Sequence, residues 1–215
     1  KQAREKFYSY NTERFGFGSP TKVEQSGEVD GTIFAPNSEQ GNNVRYSNMA
    51  FGQGMNVTMV QVAAAFSSVV NGGNYFQPHL VEGTLGDNEE VNTKPPTPVR
   101  SDVVTPATGE AVRTMIRTAL NTSPAVAGFV RPGYNVGGKT GTSQIIDQAT
   151  GKYTENNAVG SYLGFGGDET PRYVIMVRVE DAKLGAKSFS GGAAAAPIFG
   201  DISNWLLDYY NIKPM

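Results

Sequence analysis

Two neighbouring β-like segments near the end of the chain restrict its fold more than any other feature. Residues 159–165 and 172–180 are joined by the short link 166–171. A link of this length connects antiparallel neighbours, because parallel strands need a crossover of a dozen or more residues. The second segment is rich in valine, isoleucine and tyrosine, which strands favour. A further β-like segment lies at residues 136–146, and together these segments predict an antiparallel sheet.

Helical patterns come before and after this sheet. They lie at residues 2–15, 58–70, 105–120 and 195–210. Pro106 stands at the first position of the third segment, where a missing N–H is tolerated, and the last segment carries an apolar stripe at helical spacing. We predict irregular chain at residues 16–50 and 86–100, because these segments are rich in polar residues, glycine and proline. We therefore predict one domain over residues 1–215, an α/β protein of the α+β type in which helices cover an antiparallel sheet.

Composition excludes several classes of function. The 215 residues contain no cysteine and a single histidine, His79. This removes thiol catalysis, cysteine-based zinc sites and most metal-hydrolase and Ser-His-Asp arrangements. The formal net charge of −2 gives no reason to expect nucleic acid as a partner. No apolar run approaches the roughly 20 residues that a membrane span needs, and we expect neither a cofactor nor a metal.

The strongest chemical signal lies at residues 137–144. Lys139 supplies positive charge, and the hydroxyls of Thr140, Thr142 and Ser143 supply hydrogen bonds. The glycines among them let a ligand or another backbone come close to a strand. Such a segment suits an acyl substrate that carries a carboxylate, and it also suits a phosphate.

A phosphate site is the competing interpretation, because residues 133–140 match the P-loop pattern of Gly, four residues and Gly-Lys-Thr. A P-loop needs a strand before it and a helix directly after its lysine. The apolar pair Phe129-Val130 is too short for that strand, and residues 141–151 carry no apolar stripe at helical spacing. A P-loop NTPase that uses Gly133–Thr140 is therefore a remote alternative.

Several motifs in series resemble the class B penicillin-binding proteins. Lys139-Thr140-Gly141, followed by two strands and a terminal helix, resembles the third motif of the penicillin-binding proteins and serine β-lactamases. Other matching segments, in the family's order, are Phe15-Gly16-Phe17-Gly18, residues 51–61, Asn71-Gly72-Gly73, Phe76-Gln77-Pro78-His79, residues 161–165 and Ser190-Gly191-Gly192. The resemblance covers nearly the whole chain and implies the transpeptidase fold, here incomplete.

This resemblance implies that the complete protein is a serine-type peptidoglycan D,D-transpeptidase. Such an enzyme cross-links D-Ala-D-Ala stem peptides through a serine acyl-enzyme and binds β-lactam antibiotics. The resemblance implies catalytic roles for Lys139 and for Thr142, whose backbone N–H would be an oxyanion donor. It also implies substrate-binding roles for Thr140, Gly141, Thr142 and Ser143. A β-lactam sensor or a serine β-lactamase relative is the alternative with the same fold.

The family's nucleophile and relay motifs, Ser-x-x-Lys and Ser-x-Asn, belong upstream of the segment that matches residue 1. Ser19-Pro20-Thr21-Lys22 has the nucleophile spacing, but nothing around it predicts a buried helix. Ser9-Tyr10-Asn11 has the relay spacing but comes first, the reverse of the family's order. We therefore expect the C-terminal portion of one transpeptidase domain, inactive alone, with the N-terminal part of the same protein as a partner. The parent is expected on the extracytoplasmic face of the bacterial cell membrane, anchored by a segment outside this chain.

Overall fold

The chain divides into two units, Lys1–Pro106 and Ala107–Met215. The structure is a computed structural model that describes residues 2–87, 89–93, 95–146, 150, 153–180, 182 and 190–215. The predicted sheet lies in the second unit, and the first unit is mainly helical and irregular. None of the described helices is both long enough and apolar enough to span a bilayer.

The first unit combines short helices with a small hairpin. Its described elements are helix α1 (Gln2–Ser9), a π-helical turn (Tyr10–Arg14), helices α2 (Asn43–Met49) and α3 (Met59–Val70), and the antiparallel strands β1 (Gly83–Leu85) and β2 (Val91–Thr93). Ala64 of α3 packs with Tyr75 and Val103 in a small buried core.

The start of α3 confirms the predicted cap at Thr58. Thr58 Oγ1 accepts a hydrogen bond from the Gln61 N–H at 3.1 Å, and Gln61 Oε1 accepts one from the Thr58 N–H at 2.9 Å. This capping box satisfies two donors that a helix start otherwise leaves open. The buried Gln61 side chain also donates to the carbonyls of Ser19 and Asp30 at 2.7 and 2.8 Å. The helix start therefore also holds the irregular chain that precedes it.

Two elements show that the prediction of irregular chain at residues 16–50 and 86–100 was partly wrong. Helix α2 lies within the first segment, where Asn42 caps it by accepting from the Arg45 N–H at 2.9 Å. Strand β2 lies within the second and pairs with β1. Both elements are short and depend on a cap or on strand pairing. They therefore lack the hydrophobic period from which longer elements are predicted.

Three antiparallel strands form the sheet of the second unit. They are β3 (Asn135–Ile146), β4 (Tyr153–Gly167) and β5 (Pro171–Val179), in the spatial order β3-β4-β5. The predicted antiparallel sheet is confirmed, and β4 begins earlier than its sequence pattern predicts. The register places Thr140 opposite Tyr162, and Tyr162 opposite Val177.

Helical elements come before and after this sheet in the chain. They are α4 (Pro106–Thr122), a 3₁₀ turn (Ala127–Phe129), α5 (Gly191–Ala194) and α6 (Ala196–Tyr209). The helices predicted around residues 105–120 and 195–210 are confirmed. Buried residues of α6 and the sheet form the core of this unit, among them Val136, Tyr162, Val177, Ala196, Phe199 and Leu207.

Helices cover the sheet, as predicted, and they contact both of its faces. Consecutive residues of a strand point to opposite faces. The atoms near Gly137 therefore show what covers one face of the sheet, and those near Gly138 show what covers the other. A Cβ on Gly137 would lie 2.9 Å from the backbone nitrogen of Arg117 on α4, whereas a Cβ on Gly138 would run into the ring of Tyr162. That ring packs on Phe199 of α6, with ring centroids 4.5 Å apart.

Candidate active site

The candidate strand β3 forms one edge of its sheet. Within the described ranges it pairs only with β4, so one side of its backbone is open. Lys139 lies inside the strand and pairs with Leu163. A P-loop requires a helix directly after its lysine, and the strand that continues to Ile146 excludes one. The NTPase alternative is therefore excluded.

The open side of β3 carries the backbone groups of Thr140 and Thr142. In an antiparallel pair, the N–H and C=O of one residue face the neighbouring strand and those of the next residue face away. A Cβ on Gly191 would lie within 3.0 Å of the carbonyl oxygens of both Gly141 and Ser161. These two oxygens are therefore close to each other. This is the arrangement found when Gly141 and Ser161 form both N–H···O=C bonds of a hydrogen-bonded pair. Gly141 thus faces β4, and the threonines on either side of it face the open side.

The ammonium group of Lys139 lies along this open edge. Its Nζ donates to the Thr140 carbonyl at 2.9 Å and lies 3.2 Å from Thr140 Oγ1. The residue is exposed, and an ammonium group has three donors. The lysine therefore presents a positive charge that is held by its neighbour and still accessible to an anionic ligand.

The side chain of Thr142 connects β3 to helix α5. Its Oγ1 accepts a hydrogen bond from the N–H of Gly191, the first residue of α5, at 3.2 Å. The helix is capped by Ser190, whose Oγ accepts from the Ala193 N–H at 3.2 Å. Because the Gly191 N–H already uses one acceptor position of Thr142 Oγ1, the hydroxyl keeps its own proton to donate to a ligand.

Gly141 and Ser143 share a face of β3 with Lys139, because residues two apart in a strand point the same way. A Cβ on Gly141 would lie 2.5 Å from Ser161 Oγ, so a side chain at this position would require the serine hydroxyl to move. Ser143 is exposed and pairs with Val159. The five predicted site residues thus form one continuous strand edge, in which Lys139 supplies charge and the threonines supply hydrogen-bonding groups.

A buried tyrosine lies directly beneath the candidate strand. Tyr162 is 1% exposed, and burial raises the pKa of its hydroxyl well above the ordinary value. In the part of the chain that the structure describes, this hydroxyl has no hydrogen-bond partner. A Cβ on Gly138 would lie 2.8 Å from it. The tyrosine therefore supports β3 through packing, one residue before Lys139.

The two serines with family-like spacing make local structural contacts. Residues 19–22 form no helix, and Lys22 has a left-handed φ of 64°. The Lys22 N–H donates to the carboxylate of Glu28 at 2.9 Å. Ser9 Oγ donates to the Lys6 carbonyl at 3.2 Å within α1. Ser19 is therefore not placed with Lys22 on one helix face, as a nucleophile motif of this spacing requires, and Ser9 bonds only within its own helix among the described contacts.

Sequence reasoning missed two specific contacts of the site. The pair Gly191-Gly192 signals a close backbone approach, but no local pattern identifies β3 as the backbone approached. Tyr162 follows strand alternation, which does not reveal that its ring lies beneath Gly138. Nowhere in the described ranges do three His, Asp or Glu side chains group together as metal ligands would.

The chain matches a known family over nearly its whole length. The family model described as the penicillin binding protein transpeptidase domain matches residues 1–204. The chain is 35% identical over 212 residues to stage V sporulation protein D of Bacillus subtilis (strain 168), a match that covers 98% of this chain and 32% of that protein. It is 33% identical over 214 residues to penicillin-binding protein PbpB of Mycolicibacterium smegmatis, a match that covers 97% of this chain and 32% of that protein. The chain thus spans about a third of the length of these curated relatives.

A solved structure has the same fold. The crystal structure of penicillin-binding protein 3 from Mycobacterium tuberculosis, complexed with aztreonam, matches with a TM-score of 0.82 and 26% sequence identity. The match covers 98% of this chain and 47% of that chain. The fold expected from the sequence motifs is confirmed.

Proposed function

Since the chain belongs to the penicillin-binding protein transpeptidase family, we propose that it is part of a peptidoglycan D,D-transpeptidase. In the complete enzyme a serine attacks the D-Ala–D-Ala amide of a stem peptide and D-Ala leaves. An amine of a neighbouring stem then attacks the acyl-enzyme and releases the serine. The observation that carries this proposal is the open edge of β3, where the Thr142 N–H faces outward beside the Lys139 ammonium group.

Each residue of this edge has a role in the proposed reaction. The Thr142 N–H is one of two donors to the oxyanion, a contribution of about 3 kcal/mol when such a donor is removed from an enzyme. Lys139 stabilises negative charge in the site. The hydroxyls of Thr140 and Thr142 bind the substrate carboxylate. Gly141 keeps the strand surface clear for the substrate, and Ser143 is a further substrate-binding residue. An extended stem peptide binds as an added strand along this edge.

The proposal places residues 1–215 in the C-terminal portion of one transpeptidase domain. The N-terminal part of the same protein supplies the nucleophilic serine, which β-lactams acylate. Two observations support this placement: the relatives are about three times longer, and Ser9 and Ser19 lie in local structural settings. The parent acts on the extracytoplasmic face of the bacterial cell membrane, anchored by a segment outside this chain.

Labelling with a fluorescent penicillin tests the proposal. The parent protein is expected to form a stable adduct on one serine outside residues 1–215, located by peptide mass spectrometry, and prior incubation with unlabelled penicillin should abolish it. The chain alone is expected to form none. A parent that is never labelled contradicts the function, and rapid turnover of the penicillin indicates a β-lactamase relative. A labelled serine within residues 1–215 contradicts only the placement of the nucleophile.

A further inference from the structure

The first turn of α5 rests directly on the backbone of β3 and β4. Gly191 is buried, and a Cβ there would lie within 3.0 Å of the carbonyl oxygens of Gly141 and Ser161 and 3.1 Å from the Gly141 nitrogen. On β4, a Cβ on Gly160 would lie 3.4 Å from the Gly191 Cα. At Gly191 there is therefore no space for a side chain between α5 and this strand pair.

Gly191 therefore contacts the carbonyl end of one peptide group of β3 and the side chain of the residue that carries its N–H. The carbonyl of Gly141 and the N–H of Thr142 belong to the same planar unit. Gly191 packs against the carbonyl end, and its N–H holds the Thr142 side chain at 3.2 Å. Because the unit is planar, a displacement of the Gly141 oxygen turns the Thr142 N–H on the opposite, open side.

We propose that Gly191 is a positioning residue for the oxyanion donor of Thr142. It touches no reacting atom and acts through the orientation of the peptide between Gly141 and Thr142. This inference rests on the proposed function.

The neighbouring Gly192 provides a matched control. Both glycines lie in the first turn of α5, and neither has a positive φ, so alanine is compatible with the backbone at each. A Cβ on Gly192 would meet nothing closer than Ala125 Cβ at 3.7 Å and Thr140 Cγ2 at 3.9 Å, which are ordinary van der Waals distances. The added methyl group therefore overlaps the backbone of β3 and β4 in Gly191→Ala but not in Gly192→Ala.

The test measures acylation of the parent protein by a chromogenic penicillin in stopped flow. Gly191→Ala is expected to slow the acylation step at saturating penicillin at least tenfold, since misplacing reacting groups by about 1 Å costs up to 10²-fold. The dissociation constant of the initial complex should change less than the rate, because the oxyanion forms only after binding. Gly192→Ala is expected to acylate like the unsubstituted parent. Equal acylation rates in the two variants overturn the inference, whereas an unsubstituted parent that never acylates overturns the proposed function instead.

A second pair of variants applies if Gly191→Ala fails to fold. Thr142→Ser keeps the oxygen that accepts from the Gly191 N–H, and Thr142→Val removes it while keeping the shape of the side chain. At saturating penicillin the valine variant is expected to acylate more slowly than the serine variant, with thermal midpoints within a few degrees of each other. Loss of the carboxylate contact alone would instead raise the dissociation constant of the initial complex and leave this rate unchanged. Acylation rates that do not differ between these variants overturn the inference.

Discussion

The ring of Tyr162 fills the space that a side chain on Gly138 would need. Because this contact lies beneath β3, one residue before Lys139, the packing of the core and the position of the candidate site are connected. Gly138→Ala is expected to lower the free energy of unfolding of the chain by about 1–3 kcal/mol, the usual cost of overpacking. Urea denaturation followed by circular dichroism measures it. Gly128→Ala is the control, because a Cβ there would meet nothing within 4 Å, and equal losses in both variants would contradict the prediction.

The buried hydroxyl of Tyr162 predicts a loss of stability at high pH. Burial raises the pKa of this hydroxyl in the folded state, whereas the unfolded chain releases the proton near the ordinary value of about 10. Above that pH the unfolded state binds fewer protons, so the free energy of unfolding falls as pH rises. Tyr162→Phe is expected to reduce this fall between pH 9 and about 11, measured by urea denaturation. A pH dependence no different from that of the exposed-ring control Tyr209→Phe would refute the prediction.

The ion pair between Arg131 and Asp208 predicts part of the acid sensitivity. Two nitrogens of Arg131 donate to the two oxygens of Asp208, each at 2.6 Å, and this lowers the pKa of the carboxyl. A lowered carboxyl pKa contributes stability above the unfolded value of about 3.9, and this stability is lost as pH falls through the folded value. Asp208→Asn is expected to flatten the dependence of the urea midpoint on pH between 5 and about 2. The effect is small because the pair is exposed.

Asp201 provides the control for this ion pair. It lies on the same helix and forms no ion pair with another described residue. Asp201→Asn is therefore expected to leave the acid dependence nearly unchanged. If the two asparagine variants lose stability in parallel as the pH falls, the contact between Arg131 and Asp208 is not a cause of the acid sensitivity.

Removing the charge of Lys139 is expected to impair acylation without unfolding the protein. In the parent, Lys139→Gln should slow the second-order reaction with penicillin by about 10²-fold, the usual effect of removing one electrostatic stabiliser of a transition state. The thermal midpoint should change little, because the side chain is exposed. Lys213→Gln, at an exposed position near the C-terminus, is the control. Acylation that is equally fast in the two glutamine variants would argue against a role for Lys139.

The long elements of the second unit were predictable, whereas the four-residue helix α5 and the 3₁₀ turn are too short to show a period. The strand around Val177 follows from its composition of strand-favouring residues, and the helix around Phe199 follows from an apolar stripe at helical spacing. Helix α2 was missed because its signal is the single cap at Asn42. The sequence could thus place long elements, while short ones depend on contacts that form only in the fold.

The sequence identified the segment that forms the candidate site but not the contacts that arrange its groups. The run of Lys139, Thr140 and Gly141 identifies the strand, because charge, hydroxyl and glycine alternate over few residues. The contact between Thr142 and Gly191 joins residues far apart in sequence, and no local pattern encodes it. Which threonine groups face the open side also follows only from the pairing with β4.

The alternation along β3 has a consequence for what can bind there. Outward-facing N–H and C=O groups recur at every second residue, a spacing of about 6.8 Å in an extended chain. Only a partner whose own backbone is extended repeats its donors and acceptors at that interval. The backbone groups of Thr140 and Thr142 thus favour an extended peptide whatever its side chains are. They disfavour helical or turned peptides of the same composition.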